Sequence, residues 1–255
     1  MARRGSLLKI SLETLSLEFV DDFKELRVDN RSYEPSVRFV EDLKPVLLSE
    51  VNEGLSKEPA YFMFRGVWRR GDEQLFTMFC LRYDITVIPP RTLGKEYVKT
   101  FGHYHPIPYG SQSYPEVYEV LYGEAHYILQ REDNGAIVDV VLIKAKEGDK
   151  VLIPPNYDHV TINPSSKPLI MANLVSSTFK SIYDAYRLKR GAAFYELIDG
   201  SLIPNKNYKG RLEIREINPV KVIPNAPPGD IYTSFIRSPV AYRFLNSPAL
   251  TPRVW

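Results

Sequence analysis

Three of the four histidines in this 255-residue chain fall in two short stretches. In TFGHYH, residues 100–105, His103 and His105 stand two apart. On an extended backbone that spacing turns both imidazoles to one face. Glu116 and Tyr118 repeat the period before a glycine turn at Gly123. His159 follows within GDKVLIPPNYDHVTIN, residues 148–163, after a Pro-Pro turn. Two imidazoles and a carboxylate aimed into one space begin a divalent-metal site, and His159 is a candidate for a further donor.

The elements that must position these groups read as short strands. Residues 61–68 and 74–88 are rich in aromatic and β-branched residues, with Arg69, Arg70, Gly71 and Asp72 between them as a hairpin turn. Further strands are expected over 97–105, 117–122, 125–130, 137–144, 150–153, 160–163 and 169–174. Asp133-Asn134-Gly135 is a hairpin signal. Eight or nine short strands at close spacing predict an all-β sandwich or barrel. Upstream, 7–10 and 15–19 read as strand pieces. Val46, Leu47, Val51 and Leu55 fall at helical spacing after Pro45. Downstream, Phe179, Ile182 and Tyr186 predict a helix over 178–190, and the proline-rich remainder reads as an extended arm that could wrap a neighbouring subunit. The expected organisation is N-terminal strands and a helical cover over 1–60, a barrel over 61–177, and a short helix with the arm over 178–255.

Composition narrows the function classes. Lys and Arg number 33 against 31 Asp and Glu, so the net charge of +2 gives no reason to expect a nucleic-acid partner. No run of about 18 apolar residues suggests a membrane span. The basic start lacks a leader's apolar core, so the expected location is the cytoplasm. Cys80, the single cysteine, admits no intrachain disulfide and is expected to be buried and inert. His126 is expected to be a surface or packed strand residue, Tyr104 core, and Glu119 solvated on the face away from Glu116.

The two histidine stretches resemble the paired motifs of the cupin superfamily. The first motif there is His-x-His, a gap, then Glu and Gly separated by six residues, as in His103, His105, Glu116 and Gly123. The second is matched by Gly148, Pro154, His159 and Asn163, with Asn156 where the motif has Gly. Asn is the next-best residue for a left-handed turn. The gap between His105 and Glu116 is longer than the motif's. The resemblance implies a jelly-roll barrel.

Within the cupins, the region from Tyr61 to Tyr183 resembles the archaeal cupin-type phosphoglucose isomerases. The shared features are Thr100, Gly102, His103 and His105, then Glu116 and Tyr118, then Pro154, Pro155 and His159. This implies a glycolytic and gluconeogenic enzyme that interconverts glucose 6-phosphate and fructose 6-phosphate, and a homodimer. One divalent metal per chain would be ligated by His103, His105, Glu116 and His159. Iron(II), manganese, nickel or zinc would all fit this N/O set. A metal gripping the sugar oxygens stabilises an enediolate, or aligns C1 and C2 for a hydride shift. Glu116 is the expected base and Tyr118 its orienting partner. The phosphate donors implied are Thr86, Thr100 and the Gly102 amide, with Tyr61 and Tyr183 as phenolic donors and Arg91 and Lys95 adding charge. The family's histidine before the tyrosine matched by Tyr183 is absent from Lys180-Ser181-Ile182. A tyrosine expected after the strand at 169–174 is replaced near Val175. The same metal site could instead serve a cupin oxygenase, or the cavity could hold a sugar phosphate without turnover.

Overall fold

Alternation along the strands builds a core on both faces of one sheet. The computed structural model describes residues 7–255; the first six residues of the basic start lie outside the described residues. Four strands, β1 (Leu8–Ser11), β2 (Ser16–Val20), β3 (Glu25–Val28) and β4 (Arg31–Tyr33), form an antiparallel meander. Then come β5 (Ser36–Phe39), helix α1 (Val40–Leu43), β6 (Pro59–Phe64), helix α2 (Glu73–Met78) and β7 (Leu81–Ile88). A small pair, β8 (Thr92–Leu93) and β9 (Glu96–Tyr97), leads into the histidine segment. The central strands are β10 (Glu116–Tyr122), β11 (Glu124–Asp133), β12 (Ala136–Lys146), β13 (Lys150–Ile153), β14 (Asp158–Ile162) and β15 (Leu169–Ser176). Helix α3 (Asp184–Lys189), β16 (Phe194–Glu196), β17 (Leu202–Pro204), β18 (Ile214–Ile217) and helix α4 (Ile231–Arg237) follow, and short helical turns at Pro239–Leu245 and Pro248–Leu250 come after them.

Two sheets dominate. A six-stranded sheet runs β13-β10-β15-β7-β6-β5, and a four-stranded sheet runs β14-β11-β12-β18. Every pairing is antiparallel except β12 with β18. Tyr118, Val120 and Met171 from the first sheet and Tyr127, Leu129 and Val140 from the second share one apolar cluster. The other face of the six-stranded sheet, with Tyr83, Ile85, Val87 and Leu174, is covered by Leu17 and Phe19 of the meander and by Tyr232 and Phe235 of α4. The β11–β12 turn has Asn134 and Gly135 at φ +48° and +78°, the left-handed pair that a tight hairpin demands. This is an all-β architecture with short flanking helices. Among the described residues no helix is long and apolar enough to cross a membrane.

Several expectations are corrected. Residues 73–78 are helical rather than the start of a strand, because Leu75 and Phe76 pack the sheet from the end of one helical turn and only Phe76 is fully buried. That helix leaves Cys80 exposed at φ +50°, not buried. The helical spacing after Pro45 yields only single turns at Lys44–Val46 and Glu53–Leu55. The helix expected over 178–190 shrinks to α3, and Phe179 lies on the cavity instead. Glu119 is buried, because α4 covers the face that would otherwise meet water. Its carboxylate accepts from Lys150 Nζ at 3.1 Å and from the Ile231 amide at 2.7 Å. The C-terminal arm is not extended throughout: α4 and the turns Pro239–Leu245 and Pro248–Leu250 fold its end into helical segments, and α4 packs on its own chain.

Candidate metal centre

The four donors converge between the sheets. Glu116 begins β10 and His159 lies in β14. His103 is not in a regular strand; it meets His159 through an isolated two-residue bridge, with amide-to-carbonyl bonds of 3.2 and 3.3 Å. This bridge fixes the segment from Gly102 to His105. Gly102 sits at φ +80°, and a Cβ there would lie 2.3 Å from a ring carbon of Tyr186, so only glycine fits the approach. Ligand atoms of His103, His105, Glu116 and His159 all lie within 4.8 Å of one another.

The ten residues between His105 and Glu116 form a loop tied down by Asn156. At φ +67° Asn156 takes the left-handed turn expected of it. Its side chain accepts from the Ser113 amide at 2.8 Å and donates to the Ser111 carbonyl at 2.9 Å, contacts a glycine could not make. The loop then presents the Tyr114 carbonyl 2.8 Å from His105 Nδ1. With Nδ1 engaged there, His105 keeps Nε2 facing Glu116 Oε2 at 3.3 Å. Tyr114 stacks on Phe179 with ring centres 4.6 Å apart, and Phe179 packs 4.7 Å from His105.

The donor chemistry fits a divalent cation. Glu116 Oε2 is buried without a hydrogen-bond partner, yet the Nε2 atoms of His105, His159 and His103 stand 3.3, 3.4 and 3.9 Å from it. The Nε2 atoms of His103 and His105 face each other at 3.0 Å. Burial pushes His159 down to about 4 and, with the neighbouring imidazoles and the Arg65 charge, holds His103 well below its usual range. Neutral imidazoles are the ligating form. Burial would raise the Glu116 carboxyl, but the close approach of His105, with His159 and Tyr118, outweighs it and keeps it below the usual range. Its other oxygen accepts from Asn173 Nδ2 at 2.7 Å. The Tyr118 hydroxyl lies 3.0 Å from His159 Nε2, and burial and the Glu116 charge hold it protonated.

A cavity of about 350 Å³ opens from this centre. Thr86, Thr100, Gly102, Tyr61, Tyr118 and Tyr183 all line it. The Tyr61 hydroxyl accepts from the Phe101 amide at 3.3 Å and Thr100 Oγ1 from the Thr161 amide at 3.0 Å, so each keeps its proton free to donate. Lys95 does not join them: it sits exposed on the β8–β9 turn, and its carbonyl accepts from Ile198. Arg91 pairs with Glu58 at 3.3 Å away from the cavity. Lys180 and Ser181 line the cavity where the family's histidine was missing. His126 is partnered by Glu196 at 2.7 Å. Sequence reasoning missed Asn173, Arg65 and Arg82 on the cavity wall. Their signal was polarity at alternate positions of apolar strands: Arg82, Asp84 and Thr86 in β7, and Asn173 in β15.

Two facing, mostly antiparallel sheets with three imidazoles and a carboxylate gathered between them define a cupin with a candidate metal centre. The chain belongs to the glucose-6-phosphate isomerase family: the model of the family described as Glucose-6-phosphate isomerase (GPI) matches residues 37–213. It is 26% identical over 171 residues to the glucose-6-phosphate isomerase of Thermococcus litoralis, covering 62% of this chain and 86% of that one. With the enzyme of Thermococcus onnurineus the figures are 29% over 136 residues, 52% and 65%. Among solved structures, the Momordica charantia 7S globulin overlaps 57% of this chain and 33% of its own, at TM-score 0.36 and 14% identity. Bacillus subtilis oxalate decarboxylase overlaps 48% and 27%, at TM-score 0.35 and 13% identity.

Proposed function

We propose that this member of the glucose-6-phosphate isomerase family interconverts glucose 6-phosphate and fructose 6-phosphate at one divalent metal ion per chain. The ligands are His103, His105, Glu116 and His159. The observation that carries the reading is the buried, unpartnered Glu116 Oε2 ringed by three Nε2 atoms. An isolated buried carboxylate edge costs several kcal/mol, so the arrangement calls for a cation. When bound, the ion polarises the sugar carbonyl and stabilises the negative charge that grows on its oxygen.

The chain's own residues do the rest. Glu116 is the carboxylate on the cavity lining and is the group to transfer the proton between C2 and C1. Asn173 fixes its Oε1, so the carboxylate presents one edge to the imidazoles. Tyr118, kept protonated, orients Glu116 or donates to a sugar hydroxyl once His159 Nε2 is taken up as a ligand. Thr86, Thr100, the Gly102 amide, Tyr61 and Tyr183 supply neutral donors to the substrate's hydroxyls and phosphate. Phe101, Phe179 and Tyr183 on the lining limit the water the cavity holds.

A coupled assay for glucose 6-phosphate formed from fructose 6-phosphate tests this. The wild type turns over. Glu116→Gln retains some metal and loses turnover by several orders of magnitude, because ligand and base are both impaired. Near-normal turnover in that variant would refute the role of Glu116.

A further inference from the structure

The wall that the six-stranded sheet gives the cavity carries more positive charge than its own structure needs. Asp84 is fully buried within that wall. It accepts from Arg65 Nη1 at 2.7 Å, from Arg82 Nε at 2.8 and 2.9 Å, and from the Gly66 amide at 2.9 Å. One carboxylate therefore serves two guanidiniums, and one positive charge is left over. Both guanidinium residues line the cavity, with side chains 42% and 32% exposed, and Lys180 adds a further cation on the same cavity. Arg82 engages Asp84 through Nε, which leaves its terminal nitrogens without a partner among the described residues. Arg65 Nη2 finds only the Met63 sulfur, a weak acceptor, at 3.2 Å. Excess cationic charge in a partly desolvated cavity is costly unless an anion completes it.

The register places this charge at a useful distance. Glu116 pairs with Val175, and Val175 pairs with Arg82, so Glu116 and Arg82 lie on one row two strand spacings apart, about 10 Å. Thr86 is two residues beyond Asp84 on the same face. A molecule whose reacting carbons sit at Glu116 would reach this wall with its far end.

We propose that Arg65 and Arg82, braced by Asp84, form an anion clamp that takes the substrate's phosphate monoester and makes the chain prefer phosphorylated over free sugar. The inference rests on the sugar-phosphate reading above and deepens it. The hydroxyl donors fix position, while the two planar forks supply charge and bidentate geometry. Asp84 is the positioning residue: it holds both forks against the wall and cancels the charge that would otherwise drive them apart.

The test compares Arg82→Gln and Arg65→Gln with the wild type. It measures the KM for fructose 6-phosphate and the inhibition constants of glucitol 6-phosphate and of glucitol. Each variant leaves Asp84 with the other arginine and the Gly66 amide, so the wall stays paired. The expected result is a 10- to 100-fold rise, about the worth of one charge-assisted hydrogen bond, in KM and in the glucitol 6-phosphate constant. The kcat stays within a few-fold, metal content is unchanged, and glucitol inhibits as before. Arg82→Lys recovers part of the loss, and serves if a glutamine variant does not fold. Values within twofold of wild type in the glutamine variants would overturn the clamp, as would equal weakening of glucitol and glucitol 6-phosphate. If the metal-loaded wild type shows no turnover, the isomerase reading fails instead. Calorimetric binding of glucitol 6-phosphate to the same proteins then decides the clamp alone.

Discussion

Asn173→Ala isolates the contact that orients Glu116. Asn173 Nδ2 donates to Glu116 Oε1 at 2.7 Å, both residues are buried, and the carboxylate is held in its charged form. A hydrogen bond to a charged group contributes about 1.5–3 kcal/mol. With about 1.4 kcal/mol per tenfold, its loss weakens the metal centre by one to two orders of magnitude. Outer partners of metal ligands elsewhere contribute about 10- to 100-fold in affinity, so the two routes to the magnitude agree. The assay is competition for zinc or manganese against a chelator of known affinity at neutral pH. Because the Asn173 side chain faces the cavity, its removal leaves no sealed void, and the melting temperature should change little. Metal affinity within twofold of wild type would show that Asn173 does not hold Glu116 in place and would refute the reasoning.

Two further perturbations test the frame around the site. Burial raises Glu119 to about 6 from an ordinary 4.5, against the opposing pull of Lys150 and the Ile231 amide. The folded state therefore holds this proton more tightly than the unfolded state. The stability this gives is complete below pH 4.5 and is lost as pH rises through 6, a swing of about 2 kcal/mol. Glu119→Gln removes the titration, so urea unfolding of variant and wild type should differ by about 2 kcal/mol more in the variant's favour at pH 7 than at pH 4; a constant difference would contradict the buried position. Gly102→Ala forces a Cβ into the Tyr186 ring at a left-handed φ, which should destabilise the chain by about 2–5 kcal/mol in the same measurement. A loss under 1 kcal/mol would mean that the segment before His103 is less constrained than its packing indicates.

The site's core was legible because its spacing survives any detail of fold. Glu116 and Tyr118 share a face in β10 as their period requires, and Asn156 takes the left-handed turn. The strands from β10 to β15 announced themselves as short apolar runs at close spacing, broken by turn signals such as Asn134-Gly135. What stayed hidden depends on what covers each face. Glu119 alternates with Glu116 and would be solvated on a one-sided sheet, but α4 buries that side. Arg82 and Asp84 sit in an apolar run where their polarity has no local meaning until Arg65 arrives from the neighbouring strand. Phe179 fits a helical face in the sequence, yet the chain around it stays extended enough to lay its ring on His105. Leu75 and Phe76 suit a strand as well as a helix, and short apolar runs do not separate the two.

The most direct test of the account removes the metal. The protein is stripped with chelator and assayed for glucose 6-phosphate formed from fructose 6-phosphate, then refilled in turn with iron(II), manganese, nickel and zinc. Turnover should disappear on stripping and return with at least one ion at one equivalent per chain, and His159→Ala should neither bind that equivalent nor recover. Full turnover in the stripped protein, with metal content verified below a few per cent of the chains, would contradict it.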